Sequence, residues 1–100
     1  MSTKLNATLV DGDGMAVLSD LIAALDEYRP NRIQGFCLLT PDQDLLLRTD
    51  MKRNHAYRFN FEDGRHAHIN ISGVHEHAFQ REKSVMTFTI ATFGERTFIL

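Results

Sequence analysis

Apolar and polar residues alternate most regularly along residues 56–72. The apolar positions of this segment recur at every second residue on both sides of a polar turn: Tyr57, Phe59, Phe61, Ala67, Ile69 and Ile71. A period of two is typical of strands that bury one face, so the segment predicts a β-hairpin. A loop at residues 62–64, with a positive φ at Gly64, pairs Phe59 with Ala67 and keeps the apolar side chains on one face.

The same register gathers polar side chains on the opposite face of the hairpin. It places Arg58 across from His68 and Asn60 across from His66, and Asn70 continues the row. Because these positions hold a cation and no carboxylate, a divalent metal would lack anionic ligands there. The predicted binding residues are therefore Arg58, Asn60, His66, His68 and Asn70, facing an anionic group or a protein partner. A solvated face without a specific ligand is the alternative.

Residues 15–29 have apolar positions at helical spacing instead. The apolar stripe comprises Met15, Leu18, Leu21, Ile22, Leu25 and Tyr28. This spacing predicts an amphipathic helix, which Pro30 would end because the residue before a proline is pushed out of the helical region. Asp13 is then expected near the helix N-terminus, where its charge complements the helix dipole.

The remaining pattern predicts strands at residues 5–10, 33–40, 44–49, 84–93 and 97–100. Residues 41–43, beginning with Pro41, predict a turn, and residues 73–83 predict a loop or an irregular edge. The predicted fold is therefore α+β, a single domain of residues 1–100. One amphipathic helix packs on a curled, roll-like antiparallel sheet of about five to six strands, in the order β-α-β-β-β-β(-β).

Composition indicates the class of protein and its expected cellular location, but says little about its chemistry. With 100 residues, 43% hydrophobic and 24% charged, the chain is of ordinary globular type. Its single cysteine, Cys37, excludes an intramolecular disulfide, and its apolar sequence neighbours predict a buried, inert thiol. A cytoplasmic location is expected, without membrane association, since no apolar run approaches the roughly 20 residues of a membrane span.

A second pair of histidines suggests metal binding. His75-Glu76-His77, followed by Glu82, has the HxH(x)4E spacing of the cupin metal motif, so this short segment resembles that family. The resemblance implies a metal-dependent enzyme or metal-binding protein in which His75, His77 and Glu82 hold a divalent transition metal. The glycines that flank the motif in that family, and its second motif, are absent here.

Other catalytic signatures are missing from the sequence. It contains no GxSxG segment, no phosphate-binding glycine loop and no CxxC pair. Basic residues such as Arg58 and Arg65 flank aromatic ones, but the aromatic residues alternate as a core face, which argues against a nucleic-acid platform. The predicted function is a small, cofactor-free, non-enzymatic module that binds another protein or its own copy, as a regulator, adaptor, inhibitor or immunity-type partner. The cupin-like metalloprotein and a small-molecule-binding roll are the alternatives.

Overall fold

A computed structural model describes residues 2–29, 32–53, 56–77, 80 and 82–94 of the chain. These residues form the strands β1 (Ser2–Asp11), β2 (Ala16–Arg29), β3 (Arg32–Leu39), β4 (Tyr57–Phe61), β5 (His66–Glu76) and β6 (Ser84–Gly94), and the helix α1 (Pro41–Met51). All neighbouring strands run antiparallel, and the sheet closes into a barrel in the order β1-β2-β3-β6-β5-β4. The helix connects two three-stranded meanders.

The predicted α+β class is confirmed as an antiparallel sheet with one helix in the described part of the chain, but the predicted roll is wrong. An open roll needs two free edges, whereas β1 pairs with β4 and β3 pairs with β6. Closure satisfies the backbone groups that an edge strand would leave exposed. The element order is also different, because the helix follows the third strand rather than the first.

The predicted helix at residues 15–29 is wrong, because this segment is the strand β2. Its pairing with β1 contains a register shift, from Ala7 opposite Leu21 to Leu9 opposite Leu18. Asp20 lies between these pairs with a φ of 57°, as expected for a β-bulge. The bulge turns both Leu18 and Leu21 inward although they are three residues apart, and this spacing imitates a helix.

Asp13 consequently does not lie at a helix N-terminus. It belongs to the turn between β1 and β2, where its backbone N–H donates to Oδ1 of Asp11 at 2.9 Å. The N–H of Met15 donates to the same oxygen at 3.0 Å. Asp11 therefore organises the turn with its side chain.

The predicted turn at residues 41–43 and strand at 44–49 are also wrong, because both belong to α1. The N–H of Gln43 donates to Oγ1 of Thr40 at 3.2 Å, and the N–H of Thr40 donates to Oε1 of Gln43 at 2.9 Å. This reciprocal pair is a capping box, and Pro41 fits the first helical turn because its missing N–H needs no partner there.

Of the other sequence predictions, some are confirmed by the structure and some are wrong. The hairpin is confirmed with its register, including Phe59 opposite Ala67 and a φ of 93° at Gly64. The strands expected at 33–40 and 84–93 are confirmed as β3 and β6. Residues 73–76 extend β5 rather than starting a loop. The strand expected at 97–100 lies outside the described residues.

Inward side chains fill the barrel. Phe59 and Phe88 meet edge to face near its centre, with ring centroids 5.0 Å apart. Other side chains without solvent exposure surround them: Leu9, Leu39, Leu47, Cys37 and Met86. A barrel of this strand number is narrow enough for side chains alone to occupy its interior. Side chains of the described strands therefore fill the centre of the barrel.

Helix α1 covers one end of the barrel. It inserts Leu47 into the core and is fastened to the strands at both of its ends. Asp44 accepts hydrogen bonds from Ser84 and Arg48, and Asp50 accepts one from the hydroxyl of Tyr57 at 2.6 Å. α1, the helix of the described part of the chain, is too short and too polar to cross a membrane.

Candidate functional site

The five predicted binding residues form one surface on the outside of β4 and β5, here called the hairpin face: Arg58, Asn60, His66, His68 and Asn70. Arg58 lies opposite His68 and Asn60 lies opposite His66, as the alternation predicts. The His66 and His68 rings stand nearly perpendicular, at 89°, with centroids 6.5 Å apart. The β-pleat places these side chains outward because their neighbours in sequence fill the core.

No carboxylate occupies a register position beside the hairpin face within the described strands. On the β1 side, Thr8 lies opposite Asn60 and Val10 lies opposite Arg58. On the β6 side, the residues opposite His66, His68 and Asn70 are glycine and threonine: Gly94, Thr92 and Thr89. Arg58 therefore has no acidic residue opposite it in the register of the described strands.

The acidic residues of the nearby turn have other partners. Oδ2 of Asp63 accepts a hydrogen bond from Nε of Arg65 at 2.8 Å, and the N–H of Arg65 donates to Oδ1 of the same residue. The Arg65 backbone and side-chain hydrogen bonds outweigh the modest burial of Asp63 and lower the pKa of its carboxyl. Glu62 accepts a hydrogen bond from the side-chain amide of Asn6 at 3.0 Å.

Arg58 is the member of the hairpin face with a buried side-chain nitrogen, Nε, that lacks a hydrogen-bond partner among the described residues. Val10, opposite Arg58 in the register, is only 4% exposed although it lies outside the main core cluster. Outer side chains therefore cover this part of the barrel surface and shield the guanidinium Nε from water.

The structure does not assemble the metal cluster that the cupin resemblance implies. Nδ1 of His77 accepts the backbone N–H of Gln80 at 2.9 Å, so this nitrogen already has a donor. The ring of His75 lies against Gly73, within 2.9 Å of where a Cβ on that residue would stand. Within the described residues, no group of three or more His, Cys, Asp or Glu side chains is placed to share a metal ion, and His75, His77 and Glu82 are all described.

A second surface, which the sequence reasoning did not single out as a site, is apolar. It lies on the outside of β2, β3 and β6 and is here called the apolar face: Ile22, Ala24, Phe36, Leu38 and Val85. Ala24 lies opposite Phe36, and Leu38 lies opposite Val85, so these positions are contiguous across three strands. The exposed fractions are 57% for Ile22, 46% for Phe36 and 38% for Leu38.

Polar residues border the apolar face. An open groove of about 590 Å³ runs past Phe36 and is lined on its polar side by Asp26, Gln34, Thr87 and Thr89. Lys4 lies opposite Ala24 on the β1 side. The sequence signal for this surface is the uninterrupted apolar run at residues 36–39, which is apolar on both sides of a strand.

Among the described residues, the two side chains with strongly raised pKa values, Cys37 and Tyr57, lie in the core and at the attachment of α1. Burial raises the pKa of the Cys37 thiol to about 12, which leaves it protonated and unreactive. Burial and the hydrogen bond to Asp50 raise the pKa of Tyr57. Both side chains are buried, at 0% exposure for Cys37 and 5% for Tyr57, so these shifts follow from their places in the core and at the attachment of α1.

No protein-family model, no curated protein and no solved structure matches the chain. Function is therefore inferred from the hairpin face and the apolar face.

Proposed function

We propose that the protein is a non-enzymatic binding module that associates with a second copy of itself through the apolar face. The observation behind this proposal is the contiguous exposure of Ile22, Phe36 and Leu38 on neighbouring strands. The barrel core is already filled without them, so folding does not explain their position. Contiguous exposed apolar patches with polar borders are typical of interaction surfaces.

The charge of each face favours the apolar face for self-association. In a two-fold dimer the same patch packs against itself, so a charged patch would meet its own charge. The apolar face has no charged side chain at its centre, whereas the hairpin face carries Arg58 and two histidines. Because the barrel is closed, strand addition at an edge is not available, and the copies would pack sheet against sheet.

The exposed area supports a modest affinity. The exposed 46% of Phe36 amounts to about 90 Å², worth about 2 kcal/mol when removed from water. Ile22 and Leu38 contribute similar amounts, and each copy buries the same residues. The two copies together would remove apolar surface worth about 12 kcal/mol from water, against an association cost of about 4–15 kcal/mol, so we expect a dissociation constant no tighter than about micromolar. We place this module in the cytoplasm, where the lone thiol of Cys37 would stay reduced, as a regulator, adaptor, inhibitor or immunity-type partner.

Sedimentation equilibrium from about 1 to 300 µM protein tests the proposal directly. The wild type is expected to shift from monomer to dimer, and Phe36→Thr and Leu38→Thr are expected to remain monomeric, since threonine is tolerated on an exposed strand. Met15→Gln is the matched control, because Met15 is 66% exposed in the turn between β1 and β2, outside the five residues of the apolar face. A strictly monomeric wild type, or a dimer that survives both threonine variants, would contradict the proposal.

A further inference from the structure

We propose that the groove beside Phe36 binds a small aromatic cation, such as an aryl amidine or an arylmethylamine. The site does not depend on the proposed dimer, because most residues of the groove lie outside the apolar face. The strand register arranges its lining in three successive rows across β2, β3 and β6. These rows are Ala24, Phe36 and Thr87 in the first, Leu25, Gly35 and Phe88 in the second, and Asp26, Gln34 and Thr89 in the third.

The two walls of the groove differ in polarity. Residues two apart on a strand point to the same side of a sheet, so the first and third rows form the walls and the backbone of the second row forms the floor. The first wall contributes the exposed ring of Phe36, and the other contributes the carboxylate of Asp26 and the amide of Gln34. The volume of about 590 Å³ falls within the roughly 300–1,000 Å³ typical of small-molecule sites. The groove therefore suits a single ligand with one apolar and one hydrogen-bonding edge.

The charge of the lining selects a cation. Among the ten described residues that line the groove, Asp26 is the one charged residue. On β1, Ser2 lies opposite Asp26 and Lys4 lies opposite Ala24, and no ion pair joins Lys4 to Asp26. A positively charged ligand would therefore meet a carboxylate that holds no ion pair within the described part of the chain. An amidinium presents two parallel N–H donors, the arrangement with which arginine pairs with carboxylates.

The ring of Phe36 selects an aromatic body for that cation. It is 46% exposed, and an aromatic ring of a ligand gains by stacking on it, as a cation gains over its face. Asp26 lies opposite Gln34, so Phe36, two residues further along β3, is its diagonal neighbour. Diagonal neighbours on adjacent strands stand about 7–8 Å apart. A ligand that touches both side chains therefore carries its charge within one or two bonds of its ring.

Titration with benzamidine, followed by ¹⁵N-resolved NMR at pH 7 and constant ionic strength set with sodium chloride, tests this site. We expect saturable shifts of the backbone amides that line the groove, above all those of Asp26, Gln34 and Phe36. For a ligand of this size in an open groove, we expect a dissociation constant of about 1 mM. Shifts that do not saturate, or that spread over the whole barrel, would overturn the proposal.

Three further ligands define the chemistry. Benzamide has the same ring without the charge, and guanidinium has the charge without the ring, so each should bind at least about tenfold more weakly than benzamidine. Equal binding of benzamide would refute the role of the carboxylate, and equal binding of guanidinium would refute the aromatic requirement. N-acetylarginine amide represents an arginine of a protein partner. It should also bind more weakly, and tighter binding than that of benzamidine would overturn the assignment to a small molecule.

Charge-matched variants separate this site from a general charge effect. Asp26→Asn should weaken benzamidine binding by about tenfold or more, and Phe36→Leu by about threefold or more. Asp13→Asn removes the same charge from the turn between β1 and β2 and should bind like the wild type. Leu38→Thr keeps every lining residue and should bind at least as tightly as the wild type, whether or not the protein forms a dimer. Wild-type binding by Asp26→Asn, equal weakening in Asp13→Asn, or loss of binding in Leu38→Thr would overturn the proposal.

Discussion

Replacement of Gly35 by alanine would test how closely β3 approaches its neighbours in the barrel. Gly35 lies opposite Leu25 on β2 and opposite Phe88 on β6. A Cβ at this position would stand 2.3 Å from the carbonyl oxygen of Ala24 and 2.9 Å from Cζ of Phe88. Both distances are well below van der Waals contact, so the backbone of β2 or the ring of Phe88 would have to move. Glycine within a strand typically marks such a close backbone approach.

Neither neighbour of Gly35 can move cheaply. The oxygen of Ala24 belongs to the backbone of β2, which is held in register with Phe36. Phe88 is 1% exposed and packs edge to face on Phe59, so its ring has no space to turn. Overpacking a core costs about 1–3 kcal/mol, and displacement of a paired strand adds to it. We expect Gly35→Ala to lower the free energy of unfolding by about 3 kcal/mol or more, a large part of the 5–15 kcal/mol typical of a domain.

Urea unfolding followed by far-UV circular dichroism measures this loss. With a slope of about 1.5 kcal/mol per molar urea, the midpoint should fall by about 2 M. Gly12→Ala is the matched control, because a Cβ there would lie 3.7 Å from Cβ of Ala56, an ordinary contact. That variant should stay within about 0.5 kcal/mol of the wild type. The reasoning is refuted if Gly35→Ala loses less than about 1 kcal/mol, or if Gly12→Ala loses as much.

Two further predictions concern titratable groups. Burial alone would raise the pKa of Asp44, but hydrogen bonds from Ser84 and Arg48 and the charge of Arg48 outweigh it and lower the pKa below its ordinary value. The Asp44 carboxylate therefore stabilises the fold at pH values above its pKa in the unfolded chain, near 4, and this stabilisation is lost as the pH falls through the lower pKa of the folded protein. In thermal melts between pH 2 and 7, Asp44→Asn should be less stable than the wild type at neutral pH and should lose less stability on acidification. Because Cys37 has no exposed surface and its pKa is raised to about 12, a thiol reagent should modify it only at the rate at which the protein opens, and fast modification of the folded protein would contradict its burial.

The hairpin was predictable because its determinants are local. The alternation of Phe59 and Phe61 with polar residues defines the buried face, and a single glycine, Gly64, supplies the positive φ of the turn. A one-residue slip would have exposed the aromatic rings, so only one register satisfied the pattern. The positions of Arg58 and His68 on the hairpin face follow from that register.

β2 was misread because one extra residue changes the apparent period. Leu21, Ala23 and Leu25 alternate as a strand should, but the bulge at Asp20 places Leu18 three residues before Leu21. A window that spans the bulge shows i, i+3 and i+4 spacing, which is the helical signature. A period therefore cannot separate a helix from a bulged strand unless the bulge is recognised first.

α1 was missed although its start signal is present. Thr40 and Gln43 have the spacing of a capping box, with Pro41 between them. The three leucines that follow are misleading, because only Leu47 is buried while Leu45 and Leu46 face outward. An apolar run of this length is equally typical of a buried strand, so the capping residues were the better indication of a helix.

Closure of the barrel cannot be predicted from any local sequence pattern, and it determines which residues lie on the outer surface. Pairing of β1 with β4 joins residues about fifty positions apart, such as Leu9 and Phe59. Once the sheet closes, residues expected to lie in a helix or between two layers become outward-facing, as Ile22 and Leu38 do. Closure also sets the hairpin face across the barrel from the apolar face. A dimer formed through the apolar face would therefore leave the hairpin face of each copy on its far side, outside the contact between the copies.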